Sequence, residues 1–260
     1  MVTARISLAS AVLATAALFL ASCANVEAVR KEHADGYYRM ANAHLQQGRG
    51  YMDETNRRKA YSELVKAIQL DPKNADFRLL LGTLYLYSGE LISAEKEIKR
   101  ALEYSPDFGD ARNNLGLVYV EQGKLGEAVE EFKKAIANYA YRTPDVAYFN
   151  LGRSSFLLGN YVEAAEAFGR SLEIASANEE ALFFQGRSYV KLGRLSEAAT
   201  SFSNALKLSP DSVRTHYELG VVLFKLNRKE AASLHFVQVV ELDPDGAMGE
   251  QARTFIKLLR

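Results

Sequence analysis

Ala60, Ala94, Ala128, Ala164, Ala198 and Ala232 occupy one equivalent place in six similar stretches, spaced 34, 34, 36, 34 and 34 residues apart. A fixed period of that length marks stacked helical pairs, each burying its apolar face only against its neighbours. The period thereby restricts the chain to an all-α architecture and points its function toward binding rather than catalysis.

Residues 75–108 give the clearest unit. Leu81, Gly82 and Tyr85 share one face of a first helix, and Ala94, Ile98 and Ala101 share one face of a second. Gly89 stands where the first helix must end in a left-handed residue, and Pro106 stops the second. The same register gives a small first-helix residue at Ala41, Gly82, Gly116, Gly152, Gly186 and Gly220. It gives a turn residue at Gly48, Gly89, Gly123, Gly159, Gly193 and Asn227, asparagine being a residue that also tolerates the left-handed region. The large apolar knob is Leu64, Ile98, Phe132, Phe168, Phe202 and Phe236, expected to fill space toward the next unit. Pro72, Pro106, Pro210 and Pro244 close repeats.

These residues resemble the tetratricopeptide repeat over residues 34–246, with units 34–74, 75–108, 109–144, 145–178, 179–212 and 213–246. The resemblance implies a superhelical solenoid of six helix–turn–helix repeats. Ala252, Phe255, Ile256 and Leu259 recur at helical spacing, so residues 247–260 read as the helix that covers the last apolar face. Two units depart from the period. The first has about seven extra residues around Gly48–Glu54, read as an extended loop or a lengthened second helix. The third lacks a closing proline and runs into Thr143-Pro144-Asp145, read as an N-cap, a proline at the first helical position and a first-turn acid.

The chain starts with Arg5 in a short basic segment, runs apolar and small from Ile6 to Ala21, and reaches Ser22-Cys23. That pattern reads residues 1–22 as a secretory signal peptide, its apolar stretch shorter than the ~20 residues of a spanning helix. Leu20-Ala21-Ser22-Cys23 resembles the bacterial lipobox, which implies cleavage before Cys23 and lipidation of its thiol. Acyl chains contribute about 0.8 kcal/mol per buried CH₂, enough in number to anchor a protein without a transmembrane helix. Ala24 stands where aspartate favours inner-membrane retention, so the resemblance implies the periplasmic face of the outer membrane. Residues 23–33 form the tether, which spans about 33 Å extended or about 15 Å as helix over its ten residues from Ala24 to His33.

With 32 basic and 32 acidic residues, the chain lacks the charge excess of a nucleic-acid or anionic-membrane binder. One cysteine excludes an intrachain disulfide. His33, His44, His216 and His235 show no H-x-x-x-H pairing, and no P-loop or G-x-G-x-x-G pattern occurs. His44 falls on a first-helix packing position, and Glu127-Ala128-Val129-Glu130-Glu131 reads as amphipathic surface. The chain is therefore expected to be non-catalytic, with no metal, cofactor, nucleic acid or small-molecule substrate.

In tetratricopeptide arrays first-helix side chains line a groove that holds a peptide. Position five of each unit is Tyr38, Leu79, Asn113, Phe149, Phe183 and Tyr217; position nine is Asn42, Thr83, Leu117, Arg153, Arg187 and Val221. Tyr38, Leu79, Asn113, Phe149, Arg153, Phe183, Arg187 and Tyr217 are the expected partner-binding residues. Aromatics and arginine concentrate binding energy at interfaces, so units four to six suit a segment with apolar anchors and acidic character. Position five carries no lysine, which argues against the clamp by which some such arrays grip a C-terminal carboxylate.

A lipobox followed by six such repeats resembles the pilotin lipoproteins of type IV pilus assembly. The local match is the third-to-fourth junction, from Asn113-Asn114-Leu115-Gly116 to Tyr141-Arg142-Thr143-Pro144 and on to Tyr148-Phe149-Asn150-Leu151-Gly152. The resemblance implies a non-catalytic scaffold whose partner is a secretin segment. The alternative is a general lipoprotein adaptor recruiting cell-wall hydrolases, proteases or polysaccharide-export machinery.

Overall fold

The computed structural model describes residues 7–46, 51 and 53–259, with residues 7–23 as helix backbone. Among the described residues there are thirteen α-helices and no strands. Six pairs form in chain order: α1 (Ser7–Leu45) with α2 (Glu54–Leu70), α3 (Ala75–Tyr87) with α4 (Leu91–Tyr104), and α5 (Gly109–Glu121) with α6 (Leu125–Ala137). Next come α7 (Pro144–Leu157) with α8 (Tyr161–Ile174), α9 (Glu179–Lys191) with α10 (Leu195–Leu208), and α11 (Val213–Lys225) with α12 (Lys229–Leu242). A single helix, α13 (Ala247–Leu259), follows and packs on α12 and α11. The chain divides into two compact units, residues 1–106 and 107–260.

The turns are built as the register requires. Gly89, Gly123, Gly159 and Gly193 have φ between +73° and +83°, and Asn227 takes φ 57° in the same role. Gly48, the expected turn residue of the first repeat, lies outside the described residues. Helix starts are fixed locally: Asp53 accepts from the backbone N–H of Thr55 and Asn56, and Asn74 from those of Asp76 and Phe77. Thr143 does stand before Pro144 at the start of α7, but its side chain makes no capping hydrogen bond.

Close approach within each pair depends on the small first-helix residue. A Cβ on Gly116 would sit 2.5 Å from Phe132, and one on Gly152 would sit 2.8 Å from Phe168. Each knob therefore lies first over the glycine of its own repeat, and only then faces the next. Phe132, Phe168, Phe202 and Phe236 are fully buried, and their clusters hold second-helix alanines such as Ala128, Ala164, Ala198 and Ala232.

Three features resolve open points of the sequence. The segment before the first repeat is helical, because α1 runs unbroken from Ser7 to Leu45. The first repeat's second helix is lengthened, to 17 residues against 14 in α4. Tyr51, from the inserted segment, stacks on Tyr87 with ring centres 4.7 Å apart. Among the described residues no helix is long and apolar enough to cross a membrane.

Candidate partner-binding groove

Within residues 1–106, the first-helix face is made by α1 and α3. Tyr38 is half-buried, its ring 5.0 Å from Phe77, and Leu79 is half-buried on α3. Thr83 turns its hydroxyl back to the Leu79 carbonyl. Burial pushes the Tyr51 hydroxyl up to about 12, with Tyr38 and Tyr87 adding to the effect. The inserted segment therefore packs a tyrosine against α3 at position thirteen of the second repeat.

Within residues 107–260, α7 lies against both α5 and α9. Asn150 donates from Nδ2 to the Oδ1 of Asn113 at 3.0 Å, and Asn113 is only 6 % exposed. Phe149 meets Phe168 edge to face at 5.9 Å, while the guanidinium of Arg153 lies 5.8 Å from the Phe149 ring centre. Arg153 is exposed, and among the described residues no carboxylate pairs with it. Arg187 stands 5.1 Å from Phe156 and 5.9 Å from both Phe183 and Phe184, its Nε 4.0 Å from Glu218. Such cation–π contacts are worth roughly 0.5–2 kcal/mol each, more as water is excluded.

Phe183 differs from its expected role. Its ring is 5 % exposed, wedged against Phe184 and Phe202, with the Arg214 guanidinium 4.3 Å above it. Glu179 fixes that guanidinium through a 2.8 Å ion pair. The ring is thus core, covered by an arginine that position five alone does not reveal. Tyr217 is half-buried, edge-on to Phe236 and to Phe255 of α13, and burial raises its hydroxyl above the ordinary range.

What remains open to a partner on this face is Phe149, Arg153, Arg187 and Tyr217, joined by residues the periodicity did not single out. Val146 and Leu157 on α7 are 41 % and 62 % exposed, at positions two and thirteen of the fourth repeat. Lys191 and Lys225 are exposed at position thirteen of the next two. The available signal was the position itself: an apolar residue at the open edge of a first helix has no neighbour to bury it. The face combines an apolar floor with four cations, Arg153, Arg187, Lys191 and Lys225, against Glu180 and Glu218. Among the described residues no group of three or more His, Cys, Asp or Glu side chains is arranged to hold a metal ion.

The class this fold and face define is the tetratricopeptide-repeat solenoid. Sequence profiles described as tetratricopeptide repeat match residues 79–143, 146–178 and 213–245, and one described as TPR repeat matches 186–227. Solved structures with the same fold include PilF of Pseudomonas aeruginosa, 21 % identical with a TM-score of 0.70, covering 84 % of this chain and 99 % of that one. PilW, described as a widely conserved type IV pilus biogenesis factor, is 23 % identical with a TM-score of 0.67, covering 82 % and 98 %. YrrB, described as a TPR protein with an unusual peptide-binding site, is 24 % identical with a TM-score of 0.67, covering 74 % and 97 %. Identities this low establish a shared fold. No curated protein sequence matches the chain.

Proposed function

We propose that this chain is a pilotin: a lipoprotein, acylated at Cys23, that binds a secretin segment and promotes its assembly in the outer membrane. The observation that carries the reading is the face of α7, α9 and α11, where Arg153 stands exposed without a carboxylate beside Phe149 and Leu157. An exposed cation on an aromatic ring, flanked by apolar side chains, suits a segment that alternates apolar anchors with acids. The likeness of fold to PilF and PilW over more than four-fifths of the chain supports the same reading. Lipid anchoring would confine the groove and its partner to one membrane, raising their effective concentration without new contacts.

Deleting the gene, fractionating the membranes and blotting for detergent-resistant secretin multimers tests it. Loss of multimers with monomer remaining, restored by the wild-type chain but not by Cys23→Ser, is the expected result. Normal multimers in the deletion strain would sink the pilotin reading and favour a general adaptor.

A further inference from the structure

Positions 4 and 23 of the repeat, one on each helix and 19 residues apart, form a cross-helix pair in three repeats. In the second repeat it is Arg78 with Glu97, at 2.7 Å and largely buried. In the third it is Arg112 with Glu131, at 2.9 Å. In the last repeat the same two places hold His216 and His235, their Nδ1 atoms 2.9 Å apart. His216 is 8 % exposed, and its Nε2 lies 2.7 Å from the carbonyl oxygen of Pro210. Two imidazole rings thus stand where the second and third repeats carry an ion pair.

We propose that the His216–His235 pair is an acid-sensitive latch that holds α11 to α12 near neutral pH and loosens the last repeat on acidification. The proton inventory follows from the contacts. A carbonyl can only accept, so His216 Nε2 carries the hydrogen and His216 Nδ1 is the acceptor. His235 Nδ1 must then be the donor across the pair. A first added proton can occupy His235 Nε2 and leave both hydrogen bonds intact. A second has only His216 Nδ1 to take, where it would confront the N–H of His235 and place two cations in contact.

Burial, and then His216 itself, holds the His235 ring below the usual imidazole range, and no carboxylate contributes. Several charged groups on the neighbouring elements have partners of their own. On α11, Arg214 pairs with Glu179 and Glu218 lies beside Arg187. On α12, Glu241 accepts from Gln238; on α10, Lys207 donates to Asn204; on α13, Arg253 donates to the Pro244 carbonyl. Asp243, between α12 and α13, accepts from the backbone of Gly249.

Free imidazoles of the unfolded chain accept protons below about pH 6.5, while the pair as built has no place for a second one, so stability is full above that pH and falls as pH drops. Each pH unit below the unfolded value lowers the folded-to-unfolded ratio about tenfold per proton that only the unfolded chain accepts. Tyr217 follows His216 directly, so acidification would also slacken one end of the groove; this last consequence rests on the groove reading, whereas the latch does not.

Amide hydrogen exchange of the full chain at pH 7.5 and 5.5, corrected for intrinsic rates, tests the latch without any partner. Protection across residues 213–259 should fall at least tenfold at the lower pH while residues 144–208 change little. His216→Arg with His235→Glu installs the ion pair of the other repeats and should remove the difference. Should that variant not fold, His235→Gln keeps a donor toward His216 and should at least halve the response on a logarithmic scale. Equal protection at both pH values, or an undiminished response in the folded variant, would overturn the proposal. Nitrogen chemical shifts at pH 7.5 give a second reading: His216 as the Nε2–H tautomer and His235 as Nδ1–H are required, and the reverse would refute it.

Discussion

Position five of the first helix does opposite work in two neighbouring repeats. Phe149 keeps part of its ring open beside Arg153, whereas Phe183 is sealed beneath Arg214. Truncating Phe183 to alanine should cost about 3–5 kcal/mol, because a large ring leaves a cavity among Phe184 and Phe202. Arg153→Glu should leave stability within about 0.5 kcal/mol of wild type and yet remove partner binding, since it reverses an exposed, unpaired charge. Urea unfolding of both variants, beside a binding assay, checks the contrast. The sequence showed which residues share position five, because the period fixes that. It did not show which of them would be covered, because the cover comes from Arg214 one repeat later, held by Glu179 of Phe183's own repeat. The histidine pair escaped for a related reason: nineteen residues separate its members, and only comparison with Arg78–Glu97 and Arg112–Glu131 reveals the shared place.

At the scale of elements, the third-to-fourth junction shows how an irregular spacing is made rigid. Asn138 accepts from the N–H of Ala140 and donates to the Asp107 carbonyl, while its own carbonyl accepts from Tyr141. Tyr141, 7 % exposed, lies directly on Gly109, where a Cβ would come within 2.7 Å of the ring. Tyr139 is left fully exposed between these fixed points. Gly109→Ala should cost about 1–3 kcal/mol by overpacking, and Tyr141→Ala about 3 kcal/mol by opening a cavity. Combined, the two should cost less than their sum, because removing the ring makes room for the methyl group; a double-mutant cycle by urea unfolding measures this. Helix ends were legible wherever one residue type has one structural use, as at Gly89, Asn227 and Pro144. The side-chain cap expected of Thr143 does not form, because a hydroxyl at that position can satisfy itself elsewhere. The choice between strand-like and helical conformation before the first repeat was not legible, since exposed residues such as Val26 and Glu27 carry no packing signal.

For the whole molecule, the repeat period carried the architecture because every unit states it again, and six consistent statements outweigh any local ambiguity. The inserted segment of the first repeat broke that consistency, and there the sequence left a choice that Tyr51 against Tyr87 and a longer α2 resolve. The unbroken α1 has a geometric consequence of its own. A rod without a hinge transmits rotation as well as distance, at 3.6 residues per turn and about 1.5 Å per residue. Removing a single residue between Ala24 and His33 would lower the first repeat by only ~1.5 Å but swing it by ~100° about the rod. Removing three or four would bring it almost back to its original bearing. For a chain anchored at Cys23, secretin multimer assembly across such a deletion series should therefore oscillate with the helical turn, and a smooth decline with length would instead mean a free swivel at the anchor. What such a tether would set is an azimuth.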